Sequence, residues 1–300
     1  MPGLAWEALG NSYSKASRIV TDGMVSSQTV MNSIRRCRAK ATAETTPVSI
    51  DVLHIDADED HVSLQNGRTR IVPLVSVYEG IEMIGSGNHP RHHCRNVFHY
   101  SEPFYSEDFW DNALYEIEKR YDLTRATVYI HGDGARWIKE GLSYFKKSVF
   151  VLDGYHKNKA KNAFFSGSEI SGCQTERAQL SRAFMTGDRE PLLEACRSRM
   201  EQNPEHGESI TDAMNYLCNN LDGIYVRYKD PEARNGGATE PHVSHARSAR
   251  LSSRPMGWSN ETLKCPVPML ARSEIECVPR DTEKASLPVI TLSAAKSAIK

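Results

Sequence analysis

Leu53-His54-Ile55-Asp56-Ala57-Asp58-Glu59-Asp60 is a β-rich run that turns acidic. A second run, Thr127-Val128-Tyr129-Ile130-His131-Gly132-Asp133-Gly134, does the same. Carboxylates repel one another, so two acidic strand ends are costly to bring together unless a cation lies between them. The two runs therefore predict a site for hard metal ions, and with it chemistry on phosphate.

The segments around these runs suggest the fold. Val48 to Ile55, His61 to Gln65 and Arg70 to Tyr78 read as three strands, with Asn66-Gly67 as a hairpin turn. Pro73 points to an edge position or a bulge. Gly80 to His99 reads as a loop. Phe109, Trp110, Ala113, Leu114, Ile117 and Tyr121 recur at helical spacing, which predicts a helix over Glu107 to Tyr121. A strand over Ala126 to Ile130 precedes Asp133, a helix follows from about Ala135 to Phe145, and Ser148 to Leu152 is a fifth strand ending at Asp153. Three strands, helix, strand, helix, strand is the ribonuclease-H-like plan: an α/β fold with a mixed sheet flanked by helices.

The core is expected over 48–260, with a helical insertion at about 157–234 broken near Gly167, Gly172, Gly187 and Pro204. Residues 261–300, punctuated by Pro266, Pro268, Pro279 and Pro288, read as an irregular tail. At the other end, Tyr13 to Val20 and a second segment capped by Ser26 or Ser27 read as helices around an Asp22-Gly23 turn. Val30 and Ile34 share one face of the second. Residues 1–42 thus resemble a helix-turn-helix whose second helix would enter a major groove; a plain helical hairpin has the same spacing. Ala39 to Pro47 is the expected linker.

Composition excludes several classes. The 300 residues carry 37 Lys and Arg against 38 Asp and Glu, with 39% hydrophobic residues, a globular balance. No run of 18 apolar residues is present, so no membrane span is expected. The N-terminus lacks a signal-peptide pattern, and seven scattered cysteines without a CxxC read as reduced thiols. A cytoplasmic, nucleoid-associated bacterial protein is the expectation. Net charge is -1, yet Arg35, Arg36 and Arg38, then Lys157, Lys159 and Lys161, then Arg247, Arg250 and Arg254 form local basic groups. Cations that hold a phosphate backbone beside carboxylates that hold metal suit a nucleic-acid enzyme.

Four segments in order, Leu53–Gln65, Val128–Gly141, Val149–Lys159 and Glu240–Trp258, resemble the ISLre-type transposases of bacterial insertion sequences and, more distantly, the Mutator-like transposases. The resemblance spans roughly residues 10–260. It implies a ribonuclease-H-like core with an Asp-Asp-Glu triad, magnesium (or manganese) ions, and hydrolysis and strand transfer at the element's ends. Two metals about 4 Å apart would serve the attacking and leaving oxygens. Carried onto this chain, the triad is Asp58, Asp133 and Glu240, acting as both catalytic and metal-binding residues. Asp56 is the alternative to Asp58, since alternate residues of a strand share a face, and Asp60 is a third candidate. Asp58 is preferred because its spacing to Val62 matches the related transposases. The resemblance also implies a role for the Asp153-Gly154-Tyr155-His156 motif in site architecture or DNA positioning; an N-cap aspartate with a hydrogen-bonded histidine is the structural reading. His156, Lys157, Arg35, Arg36, Arg38, Arg247, Arg250 and Arg254 are the expected contacts to double-stranded DNA, both element ends and target. A dimer on DNA follows from the pairing of two ends.

Other constellations are weaker. His89, His92, His93, Cys94 and His99 match no standard zinc-finger spacing, and Pro90 with Arg91 and Arg95 points to a mobile basic loop. Asp212, Asp222 and Asp230 have no metal-loop spacing and read as solvated surface. Relatives extend further at the N-terminus, and the segment after Trp258 departs from the pattern. A truncated remnant that only binds DNA is therefore the alternative reading, as is a nuclease that cuts without joining.

Overall fold

The computed structural model describes residues 2–39, 46–84, 91–166, 173–234, 236, 257–264, 275–277 and 290–293. In chain order its elements are α1 (Pro2–Gly10), α2 (Tyr13–Thr21), α3 (Ser27–Ile34), β1 (Cys37–Ala39), β2 (Val48–Ser49), β3 (Val52–Ser63), β4 (Thr69–Tyr78), β5 (Ile81–Ile84), β6 (Arg91–Cys94), β7 (Phe98–Ser101), α4 (Phe109–Glu118), β8 (Tyr121–Asp122), β9 (Thr127–Gly132), α5 (Arg136–Glu140), β10 (Ser148–Leu152), α6 (Gly154–Phe164), α7 (Gln174–Thr186), α8 (Glu190–Gln202), α9 (Gly207–Asn219), α10 (Leu221–Lys229), α11 (Asn260–Leu263), β11 (Ile275–Cys277) and β12 (Ile290–Ser293).

The main sheet is mixed, in the order β10-β9-β3-β4-β7-β12. β10, β9 and β3 run parallel; β4, β7 and β12 add on antiparallel. Strict alternation builds the centre. Leu53, Ile55 and Ala57 of β3 join Val75, Val77, Val128 and Ile130 on one face, beneath Phe109, Trp110, Ala113 and Ile117 of α4 and Ile138 of α5. The opposite face of β3 carries His54, Asp56, Asp58 and Asp60. α10 packs near that side, with Val226 against Tyr129 and Val151. Helices α6 to α10 share a core of their own, built from Ala160, Phe164, Leu180, Ala183, Leu192, Ile210, Leu217 and Ile224. These helices fall in the stretch from about 157 to 234 that is expected to be helical.

Three expectations need correction. The acidic run is not a strand end: β3 continues through it to Ser63, paired with β4 from His54↔Tyr78 to Ser63↔Thr69. Cross-strand pairing overrides the low β propensity of Asp and Glu. The third strand before α4 is β7, which starts at the end of the segment read as loop, and the β5–β6 hairpin lies inside that segment. The tail beyond residue 261 contributes α11 and two strands, β11 on β1 and β12 on the sheet edge. Pro73 sits one residue before the β7 pairing begins at Leu74↔Ser101, so its missing N–H breaks no bond on that side.

The N-terminal helices form as expected, with an additional first helix, α1. Ser12 caps α2 and Ser26 caps α3. Leu4, Ala5, Ala16, Val30 and Ile34 bury together against Val62, Leu64 and Val72 at the far end of the β3–β4 hairpin, with Trp258 and Leu263. Among the described residues no helix is long and apolar enough to cross a membrane.

Candidate functional site

The parallel pairing of β3 with β9 stops at Asp56↔His131. Asp58 therefore stands just past the carboxyl edge of the parallel half of the sheet, where ligands of open α/β sheets bind. The end that matters is the end of parallel pairing, not of the strand. β9 and β10 finish at the same edge, which brings Asp133 and Asp153 beside Asp58. Gly132 permits this: a Cβ there would lie 2.7 Å from the Ala57 carbonyl oxygen and 2.8 Å from Ile138 Cδ1. The Asp153 backbone N–H donates to the Gly132 carbonyl at 3.0 Å and ties the two strand ends together.

Each acid has its own setting. Asp58 Oδ1 accepts the Glu59 backbone N–H at 2.8 Å. Burial, followed by the neighbouring Asp133 and Asp153 carboxylates, pushes the Asp58 carboxyl up to about 6, against the pull of the Glu59 N–H and His156. Asp133 Oδ1 accepts the Ala135 N–H at 2.8 Å, and its carbonyl accepts the Tyr216 hydroxyl at 2.5 Å. Asp153 is buried and caps α6, accepting both the backbone N–H and the Nδ1–H of His156 at 2.8 Å. That hydrogen bond is the main cause of the raised proton affinity of His156. Asp56 is more deeply buried than Asp58 and accepts the Tyr78 hydroxyl at 3.1 Å. Asp60, also buried, lies further towards the hairpin tip.

Below the carboxylates, His54 Nδ1 and His131 Nε2 are 3.1 Å apart. Burial holds His54 down to about 4, and it holds His131 well below the ordinary imidazole value. Arg227 of α10 supplies the compensating charge. Burial lowers its proton affinity, while Asp153, Tyr78 and Asp56 raise it. Neither Arg227 nor Tyr216 is visible from local sequence. The histidines leave a trace, since His-x-Asp occurs in both acidic runs, at His54–Asp56 and His131–Asp133.

The expected DNA contacts divide. Arg35 is engaged within the chain: its guanidinium donates to Ser259 Oγ at 3.1 Å and Thr262 Oγ1 at 3.3 Å and pairs with Glu261 at 2.9 Å. Arg36 is exposed. Lys157 is half-buried beside the site, its ammonium pKa lowered by burial and then by Arg227 and Lys161. Glu240, Arg247, Arg250, Arg254 and the Arg38 side chain lie outside the described residues.

Among the described residues, no three His, Cys, Asp or Glu side chains are placed to hold a metal ion by themselves. Asp58 Oδ2 and Asp133 Oδ2 accept no hydrogen bond from the described residues. Two such carboxylates fit a magnesium ion that completes its shell with water and phosphate oxygens. They do not fit a closed, all-protein site. His89 and Pro90 lie outside the described residues; His92, His93, Cys94 and His99 are corrected from a basic loop to strand structure. His93 pairs with Glu82 at 3.4 Å, and His99 Nδ1 lies 2.7 Å from Ser76 Oγ. Asp230 is not solvated surface either: it accepts the Tyr129 hydroxyl at 2.6 Å.

Comparison with known proteins gives the lineage. UPF0236 proteins of Caldanaerobacter subterraneus subsp. tengcongensis are 36% identical to this chain. TTE2489 aligns over 271 residues, 87% of this chain and 56% of the relative. A second, over 267 residues and 55% of its length, carries eleven designations from TTE0033 to TTE2212 under one name. The chain spans about half the length of these relatives. The family described as Uncharacterised protein family (UPF0236) matches residues 4–281, past the Trp258 limit of the sequence resemblance. This chain belongs to the UPF0236 family.

Proposed function

We propose that this chain carries the catalytic core of a DNA transposase, which hydrolyses a phosphodiester at an element's end and joins the freed 3′ hydroxyl to target DNA. The observation that carries the reading is the convergence of Asp58 and Asp133 at one sheet edge, with Asp58 held proton-hungry by burial and by its acidic neighbours. A structural acid is held by hydrogen bonds or a cation; a cation-binding site keeps its carboxylates crowded, with oxygens open to the ion, as Asp58 Oδ2 and Asp133 Oδ2 are. The strand order β7-β4-β3-β9-β10 supports a ribonuclease-H-like core. One relative's eleven designations in one organism accord with a sequence that multiplies within a genome.

Asp58 and Asp133, with Glu240 as third ligand, would hold magnesium, which when bound stabilises charge on the phosphate and activates the attacking oxygen. Glu240 follows buried Gly236 by four residues, a span of at most about 14 Å. Asp153 orients His156 and favours its cationic form, placing positive charge where a phosphate would sit. Arg227 offsets the buried Asp56 and Asp153. Lys157, Arg36, Arg38, Arg247, Arg250 and Arg254 are proposed to hold the DNA backbone, with α3 as groove-entering helix and two copies pairing the ends.

The test is a strand-transfer assay with end-sequence DNA and magnesium. Joined product is expected, lost in Asp133→Asn; undiminished joining by that variant sinks the mechanism. Binding of end DNA without cleavage would assign a binding-only role, and cleavage without joining a nuclease.

A further inference from the structure

A cleft of about 490 Å³ opens between α6 and α9, directly beside the carboxylate cluster. Two features join it to that cluster. His156 lines both, and Tyr216, which forms one wall, donates its hydroxyl to the Asp133 carbonyl. Small side chains at Ala163 and Ala213, where the two helices face each other, create the space. The rim carries both signs of charge, Lys159 against Glu208 and Asp212, and these three side chains make no hydrogen bond or ion pair with the described residues. A pure backbone groove would not be built this way, because Glu208 and Asp212 repel phosphate. The same carboxylates accept hydrogen bonds from the exocyclic amine of a base, as Asp and Glu do from cytosine N4. A tyrosine ring fixed at its hydroxyl offers a flat stacking surface, and Lys159 with His156 can take the flanking phosphates.

We propose that this cleft binds one unstacked, amine-bearing base of the DNA strand whose phosphate lies at Asp58 and Asp133. The inference rests on the DNA-processing reading and adds a subsite to it. Extruding a base costs a few kcal/mol in a duplex and little in a single or frayed strand, so the cleft favours strands already opened at the element's end.

The test measures fluorescence anisotropy of the full chain with three single strands of equal length, about 12 nucleotides: all-dC, all-dT and all-abasic. The dC strand is expected to bind about tenfold tighter than the abasic strand, and several-fold tighter than dT. Ala163→Trp, at a half-buried position, should erase the dC advantage over the abasic strand while leaving abasic affinity unchanged. Asp212→Ala, at an exposed position that does not threaten folding, should erase only the preference for dC over dT. Equal binding of dC and abasic strands, or a base preference that survives Ala163→Trp, overturns the subsite. If cleavage sensitive to Asp133→Asn persists in that case, the proposed function stands without it. Failure of all three strands to bind overturns the subsite as well, and the strand-transfer assay then decides the proposed function by itself.

Discussion

His54 and His131 meet ring nitrogen to ring nitrogen at 3.1 Å inside the protein, and neither can take up a proton at neutral pH. Both imidazoles are fully buried, and His54 is stacked between Tyr78 and Tyr129 with centroids 5.4 Å away on each side. The pair is a neutral floor beneath a cluster of acids. In the unfolded chain both histidines titrate normally, so the folded state loses stability as pH falls below about 6.5. Asp58, raised to about 6, acts in the opposite sense between about 4 and 6, because the folded state binds its proton first. Two histidines against one aspartate leave a net loss of stability as pH falls through that window. Chemical denaturation in chelator across pH 4 to 7 should show this slope, and His54→Gln should flatten it. A profile unchanged by that substitution refutes the neutral-pair assignment.

Asp58 itself makes the cost of the site measurable. Ionising it in the folded, metal-free protein opposes burial and two neighbouring carboxylates. Asp58→Asn should therefore stabilise the metal-free protein at pH 7.5 by about 1–3 kcal/mol, and the gain should vanish below about pH 4.

Magnesium should narrow that gap. At ten times its Kd, the ion should stabilise the wild type by about 1.4 kcal/mol and do nothing for Asp58→Asn or Asp133→Asn. Thermal melts with and without magnesium read the difference, and equal shifts in all three proteins would remove the metal from this pair.

Much of this arrangement is legible in the chain because it is local. Period-two alternation in Leu53 to Asp60, the glycines flanking Asp133 and the Asp153 cap of α6 each act within a few residues. Other features are set from far away. Nothing near Asp58 says that β3 runs on to Ser63; that depends on pairing with β4 and on burial of its polar face. β7 is short and starts at the end of a segment whose glycines, proline and histidines mimic a loop. Arg227 and Tyr216 reach the site from helices that follow Asp133 by more than eighty residues, as the 83-residue separation of the Tyr216–Asp133 bond shows. Arg35 could not be told from Arg36 by charge alone, because its partners Ser259, Glu261 and Thr262 come from the other end of the chain.

That distinction between neighbouring arginines is itself testable. Arg35→Ala breaks an ion pair to the exposed Glu261 and two hydrogen bonds, and should cost about 1–2 kcal/mol of stability. Its effect on the salt dependence of DNA binding should be nil. Arg36→Ala should leave stability within about 0.5 kcal/mol and lower the slope of log K against log salt by about 1. The reverse pattern would return Arg35 to the DNA surface.

Gly236 sets where the chain leaves the histidine floor. A Cβ built there lies 2.2 Å from His131 Nε2 and 2.6 Å from His54 Nδ1, so no side chain fits without moving the backbone or the imidazoles. Gly236→Ala should cost about 1–3 kcal/mol of stability by overpacking. If Glu240 is the third ligand, four residues downstream, the same shift should carry it off the metal, and strand transfer should fall at least tenfold more than the folded fraction does. Activity that tracks the folded fraction alone would show that the position of Gly236 does not govern the third carboxylate.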